Sequence, residues 1–215
     1  ALGTFADNFF KQAVVLMAAS LDEPLIQSVA AVLFALPYVL FSAWGGKFAD
    51  CLPKSRIVFT AKVTELAAIA LGVVSLYHVW WPGVLFSIFL MGLQGTAFSP
   101  ALNGSIPEQF PPHQVPRVNS LIKLSSTCAV VAGIACAGVF LGIEPGGLLP
   151  DFGITDISAY GRGATGFFVL CIAVAGLGVA FFIPRSPKSS VPLSPFPWWG
   201  PVNSTKLFFE YRKDP

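Results

Sequence analysis

The sequence predicts an all-α membrane protein, a bundle of six transmembrane helices. Hydrophobic residues fill 54% of the 215 positions and charged residues only 11%, against about a quarter charged in an ordinary soluble domain. The charges are also clustered, which leaves apolar windows about 20 residues long, each enough to cross a bilayer core of roughly 30 Å. One apolar window fits a buried soluble core, but several in series, at a mean hydropathy of +0.71, do not.

The first span is expected over 2–20, ended by "LDEP" (Leu21 to Pro24). The second runs from about Gln27 to Trp44 and leads into the charged loop "WGGKFADCLPKSRIVFTAK". The third covers Ile57 to Tyr77 and closes on the uncharged turn "HVWWPG". The fourth extends from Val84 to Ile106, closed by "PEQFPPHQVP", and the fifth from Val118 to Ile143. A Gly-, Pro- and Asp-rich loop precedes the sixth, Gly163 to Ile183, and "PRSPKSSVPLSPFPWWGP" after it has the composition of a linker.

Loop charges orient the bundle. One set of alternate loops holds Lys54 and Arg56, then Arg117, then Arg185 and Lys188, with Lys206, Arg212 and Lys213 beyond. The opposite set holds Asp22, Glu23, Glu144, Asp151 and Asp156, with Arg162 as its lone basic residue. The positive-inside rule sends the basic set to the cytoplasm. Both ends of the chain then face the cytoplasm, and His78, Trp80 and Trp81 lie at the outer interface, where tryptophans are favoured. No basic segment leads into a cleavable run, so no signal peptide is expected, and the chain is expected to begin after a short missing N-terminal segment. Cys128 and Cys136, eight residues apart on one predicted helix, are about 12 Å apart along its axis. That is too far for a disulfide, and the four cysteines show no metal spacing.

Polar residues inside apolar spans are the candidate site. In "TFADNFFKQAVVL", Asp7 and Lys11 are four apart, as are Asn8 and Gln12, so the four share one broad face. Two readings stand: a charged face turned to an interior cavity, or an ion pair near the inner interface with Lys11 snorkelling. Lys62 and Glu65, at i,i+3 near the cytoplasmic end of the third helix, read as a structural pair. The fourth helix carries Gln94 and a stripe of Gly92, Gly95 or Thr96, Ser99 and Asn103, which either packs tightly or lines a path. Pro100 removes a backbone donor there and is expected to bend the helix. The fifth helix places Asn119, Lys123 and Ser126 or Thr127 on one side, so Lys123 either meets an anionic group or snorkels. Further along, Gly133, Gly138 and Gly142 suit close packing. The tail "NSTKLFFEYRKD" reads as an amphipathic segment on an anionic inner leaflet. Soluble-enzyme signatures are absent: no phosphate-cradling glycine loop, no HExxH, no GxSxG. Nucleic-acid binding has no basic face to rest on.

Gly46, Ala49, Asp50, Lys54 and Arg56 follow the spacing of the G-x-x-x-D-(R/K)-x-G-(R/K)-(R/K) loop between the second and third helices of the major facilitator superfamily, with departures at Cys51 and Pro53. That resemblance implies a conformational latch of Gly46, Asp50, Lys54 and Arg56. Gly46 would permit close helix approach, and Asp50 would hold the outward-facing state by accepting hydrogen bonds from a neighbouring helix. The bland alternative is a generic basic inside loop.

The sequence further resembles the bacterial lysophospholipid transporter branch of that superfamily. The "F-x-D-N-x-F-K-Q" segment of the branch is met by Phe5, Asp7, Asn8, Phe10, Lys11 and Gln12. Its "A-L-P-x-x-L-F-S-A" is met by Ala35, Leu36, Pro37, Leu40, Phe41, Ser42 and Ala43. In the fourth helix the matches are Phe89 to Gln94, Pro100, Ala101, and Ile106 to Glu108; in the fifth, Asn119 and Leu121. The likeness covers nearly all of 1–185, with one departure, since the branch often has an acidic residue where Lys123 stands.

What the resemblance implies is a secondary transporter that moves lysophospholipids from the outer to the inner leaflet of the bacterial cytoplasmic membrane for re-acylation. The implied substrate contacts are Asp7, Asn8, Lys11, Gln12, Gln94, Asn103 and Lys123. The implied partners are membrane lipids, the lysophospholipid itself and a C-terminal transporter half that this chain lacks; a homodimer of halves is the alternative. Residues 1–185 would form the N-terminal six-helix bundle and 186–215 the start of a cytoplasmic central linker. No catalytic residue, metal, cofactor or nucleic-acid partner is implied, so the chain is not expected to be an enzyme. An acyltransferase fused downstream or associated is compatible with the resemblance. Two alternative functions stay open: a facilitator that exports amphipathic drugs or small metabolites, and a membrane anchor for a fused acyltransferase.

Overall fold

A computed structural model of the chain describes residues 1–143 and 157–182. Six α-helices and no strand occur among them: α1 (Leu2–Ser20), α2 (Pro24–Cys51), α3 (Lys54–Tyr77), α4 (Trp81–Gln109), α5 (Val115–Leu141) and α6 (Ala159–Ala180). Each predicted span is therefore a helix, and most extend past their apolar windows. Prolines explain several starts. Pro24, Pro82 and Pro116 stand in the first turns of α2, α4 and α5, where a missing N–H costs nothing. The acidic loop residues Glu144, Asp151 and Asp156, the end of the sixth span at Ile183, the basic residues from Arg185 onward, the linker and the tail segment lie outside the described residues.

Helices α2 to α6 are long and apolar enough to cross a membrane. α1 falls short by that measure because Asp7, Asn8, Lys11 and Gln12 interrupt it. Its position accounts for this: α1 packs against α5, α6 and α2 and touches α3 and α4. Ala6, Phe9, Phe10, Ala13, Val14, Met17 and Ala18 are buried. Phe5, Phe9, Phe140 and Phe168 knit α1, α5 and α6 together, with the Phe140 and Phe168 rings stacked at 4.1 Å between centroids.

The remaining bundle runs α2 on α4, α4 on α3, and α3 on α6. Close approach between α2 and α4 has a local cause. Pro100 cannot donate to the carbonyl of Thr96 one turn earlier, and Gly45 lies against that carbonyl, where a Cβ would overlap it. Gly92 meets the Phe34 carbonyl of α2 in the same way. Gly46, the residue expected to allow helix approach, has open space around it instead. The rotation of α2 turns Gly45, not its neighbour, toward α4. On α5, Gly133 lies against the Phe5 backbone of α1, as close packing requires, whereas Gly138 makes only ordinary contact with Leu16.

The short turns after α1 and α3 have the same geometry. Asp22 and Val79 both adopt φ of 56°, and the next N–H reaches back to Ala18 O and Ser75 O respectively, each at 2.8 Å. This is the Schellman closure of a helix. Glycine usually fills that position, and a β-branched residue such as Val79 is strained there. Successive helices run antiparallel, with starts of α1, α3 and α5 beside ends of α4 and α6.

Candidate functional site

Antiparallel succession gathers six helix ends at one pole: the starts of α1, α3 and α5 and the ends of α2, α4 and α6. A cavity of about 1040 Å³ opens there, lined from all six. Of the seven predicted substrate contacts, it brings together Asp7, Asn8, Lys11, Gln94, Asn103 and Lys123. Gln12 is half-buried and lies away from it. The polar stripe of α4 divides: Gly92 packs on α2, while Gly95, Ser99 and Asn103 face the cavity.

Charge is unevenly held within it. Lys11 forms no ion pair with Asp7; its ammonium sits 3.8 Å from the centroid of the Phe34 ring on α2, a cation–π contact strengthened where water is excluded. Asp7 Oδ1 is shielded from solvent and has no hydrogen-bond partner. The side-chain amide of Asn8 donates to Thr4 O at 2.7 Å, which leaves its own carbonyl free to accept. Gln94 is buried with Oε1 unpartnered. Lys123, on the exposed side of α5, completes the rim with Asn119 and Ser126.

Two charged residues that the spacing assigned to structure also line the cavity. Lys62 Nζ and Glu65 Oε2 are 2.5 Å apart, with 10% and 3% of their side chains exposed. Their signal in the sequence was a pair of charges inside an apolar span, but i,i+3 spacing says only that they meet each other. The aromatic walls, Phe34, Tyr38 and Phe98, carried no sequence signal distinct from core.

The α2–α3 loop lies at the same pole. Lys54 Nζ donates to Gly104 O at 2.7 Å and pairs with Glu108 Oε1 at 2.5 Å, so the loop is tied to the last turns of α4. A cation at the carbonyl end of a helix is also favoured by its dipole. Arg56 is exposed at the start of α3. Asp50 lies in the last turn of α2, and its side chain is outside the described residues.

Membrane-spanning helices around a polar cavity at one pole define a multi-pass membrane protein. A family model described as Major Facilitator Superfamily matches residues 1–215, and the chain belongs to that superfamily. Among curated proteins it is 27% identical over 194 residues to the lysophospholipid transporter LplT of Klebsiella pneumoniae (strain 342), covering 87% of this chain and 42% of the relative. The protein of the same name from Enterobacter sp. (strain 638) is 26% identical over 178 residues, covering 82% and 43%. That of Salmonella arizonae is 30% identical over 142 residues, covering 64% and 33%. The chain thus spans less than half the length of these relatives.

Proposed function

We propose that this chain is the N-terminal half of a secondary transporter in the bacterial inner membrane, which carries lysophospholipids from the outer to the inner leaflet for re-acylation. Residues 1–185 form its helical half and 186–215 begin the linker to a second half. The observation that carries the reading is the cavity: charged and amide groups from α1, α4 and α5 share about 1040 Å³ with the walls of Phe34, Tyr38 and Phe98. A lysophospholipid has the matching two-part chemistry, a charged headgroup on a single apolar chain. The names of the relatives support the same substrate class.

In this reading Lys11 and Lys123 draw the phosphate, and Asp7 a headgroup amine, into the cavity on the way to its inner wall. Asn8, Gln94 and Asn103 bond the glycerol oxygens, while Gln12 lies away from the cavity. Transporters of this architecture hold substrate between two halves that rock about it, so the exposed side of the cavity is where the second half closes. The Gly46–Arg56 loop serves as the latch, and the Lys54 link to α4 makes the loop move with the cavity wall. Both chain ends then face the cytoplasm.

The test is leaflet transfer of a fluorescent lysophosphatidylethanolamine by the full-length protein in proteoliposomes, beside Asp7→Ala. Transfer by the parent and its loss in the variant is the expected result. A folded parent that moves no lipid but expels an amphipathic dye makes the chain part of an exporter. One that moves neither leaves it an anchor.

A further inference from the structure

The strongest unexplained feature is the buried pair on α3. Lys62 donates to Glu65 Oε2, but Glu65 Oε1 has no partner although the residue is only 2% exposed. A buried pair that serves stability alone needs its remaining lone pairs and protons satisfied, because desolvating two charges otherwise outweighs their attraction. Here one carboxylate oxygen is left over beside a cavity. The ammonium, which has three donors, stands 5.2 Å from the Phe98 ring on the wall of that cavity. On the α1 side the pair is met by Gly3, where a Cβ would overlap Lys62 Nζ and lie 3.1 Å from both Glu65 oxygens. Asp7, one turn further along α1, interacts electrostatically with both members of the pair, as does the Ala1 amino group.

We infer that Lys62 and Glu65 read the two charges of a zwitterionic headgroup, Lys62 taking the phosphate and Glu65 Oε1 the ammonium. This rests on the lipid reading of the cavity. The exchange conserves charge: as phosphate draws Lys62 away from Glu65, the incoming ammonium replaces it on the carboxylate, so no buried ion is left alone. The empty pair is thereby satisfied in part by itself and in full by the ligand. A headgroup with phosphate but no amine engages Lys62 and leaves Glu65 stranded, so Glu65 determines specificity and Lys62 affinity.

The test compares lysophosphatidylethanolamine with lysophosphatidylglycerol, labelled on identical acyl chains, in proteoliposomes of the full-length protein. Glu65→Gln is expected to lower the ethanolamine-to-glycerol rate ratio about tenfold, the worth of one charge-assisted hydrogen bond, while Lys62→Arg keeps the ratio. An equal fall for both lipids in Glu65→Gln overturns the inference. Should that variant fail to reach the membrane, Lys62→Gln/Glu65→Gln decides, since it removes both charges and strands neither. Slowed transfer of both lipids by the double variant with a lowered ethanolamine-to-glycerol ratio, at unchanged melting temperature, supports the inference, and a parental ratio overturns it. A parent that moves neither lipid overturns the lipid reading, and this inference with it, before any variant is made.

Discussion

Replacing Gly45 and Gly46 by alanine, one at a time, separates two adjacent residues that the loop motif does not distinguish. A Cβ on Gly45 would lie 2.7 Å from the Thr96 carbonyl carbon and 3.2 Å from the Ala97 nitrogen, whereas on Gly46 it meets nothing within 4 Å. Carbon contacts are comfortable at about 3.5–4.0 Å, so Gly45→Ala requires α2 and α4 to part by about 1 Å. The atoms met are backbone, which cannot swing aside. The cost therefore falls in the upper part of the roughly 1–3 kcal/mol range for overpacking. Alanine's better helix propensity returns up to about 1 kcal/mol, for a net loss of about 1–2 kcal/mol. Gly46→Ala keeps the propensity gain without the clash. The two variants should thus differ by roughly 2–3 kcal/mol, read as unfolding of the full-length protein in detergent followed by tryptophan fluorescence. Gly46→Ala unfolding as readily as Gly45→Ala, or more so, would refute the packing argument.

Other expectations follow from single contacts. Lys54→Met loses the bonds to both Gly104 O and Glu108; with Glu108 half exposed, the loss of stability is about 1 kcal/mol, and Glu108→Gln, which spares the carbonyl bond, costs less than half as much. Thermal unfolding of the two variants checks that order. Gly3→Ala displaces the flexible ends of Lys62 and Glu65 but no backbone, so lipid transfer should fall several-fold at an unchanged melting temperature. A double-mutant cycle of Lys11→Met and Phe34→Leu should give a coupling of about 0.5–2 kcal/mol in unfolding, as a partly desolvated cation–π contact does; additive losses would mean that the two do not interact.

The helices were legible because a bilayer-length apolar run announces itself. Their ends were not, since the last turns of α2, through Phe48 to Cys51, and of α4, past Pro107 to Gln109, are polar or proline-bearing and held by neighbours. α1 read correctly as a helix although its composition is the least membrane-like, because its polar residues share a face. That face also made Asp7, Asn8 and Lys11 visible, since a charge within an apolar span is costly and usually turns toward the bundle interior. The choice between an ion pair and the aromatic seat of Lys11 depended on Phe34, a residue on another helix. Lys62 and Glu65 form the pair that their spacing announced, but their place on the cavity wall was not legible for the same reason: local spacing reveals a partner along the helix and nothing about the space beside it. Gly45 stayed hidden because motif spacing marks positions in sequence, while close packing depends on how far α2 is turned about its axis.

The central claim, that the polar cavity receives a lysophospholipid headgroup, is tested most directly by photo-crosslinking. A lysophosphatidylethanolamine with a photoactivatable group on its headgroup is incubated with the full-length protein in membranes, irradiated, and the adducts mapped by mass spectrometry. Adducts on Asn8, Asn103 and Ser126, abolished by excess unlabelled lipid, are predicted. Adducts confined to the outward-facing apolar residues, such as Val32 and Phe167, or insensitive to competitor, would contradict the account.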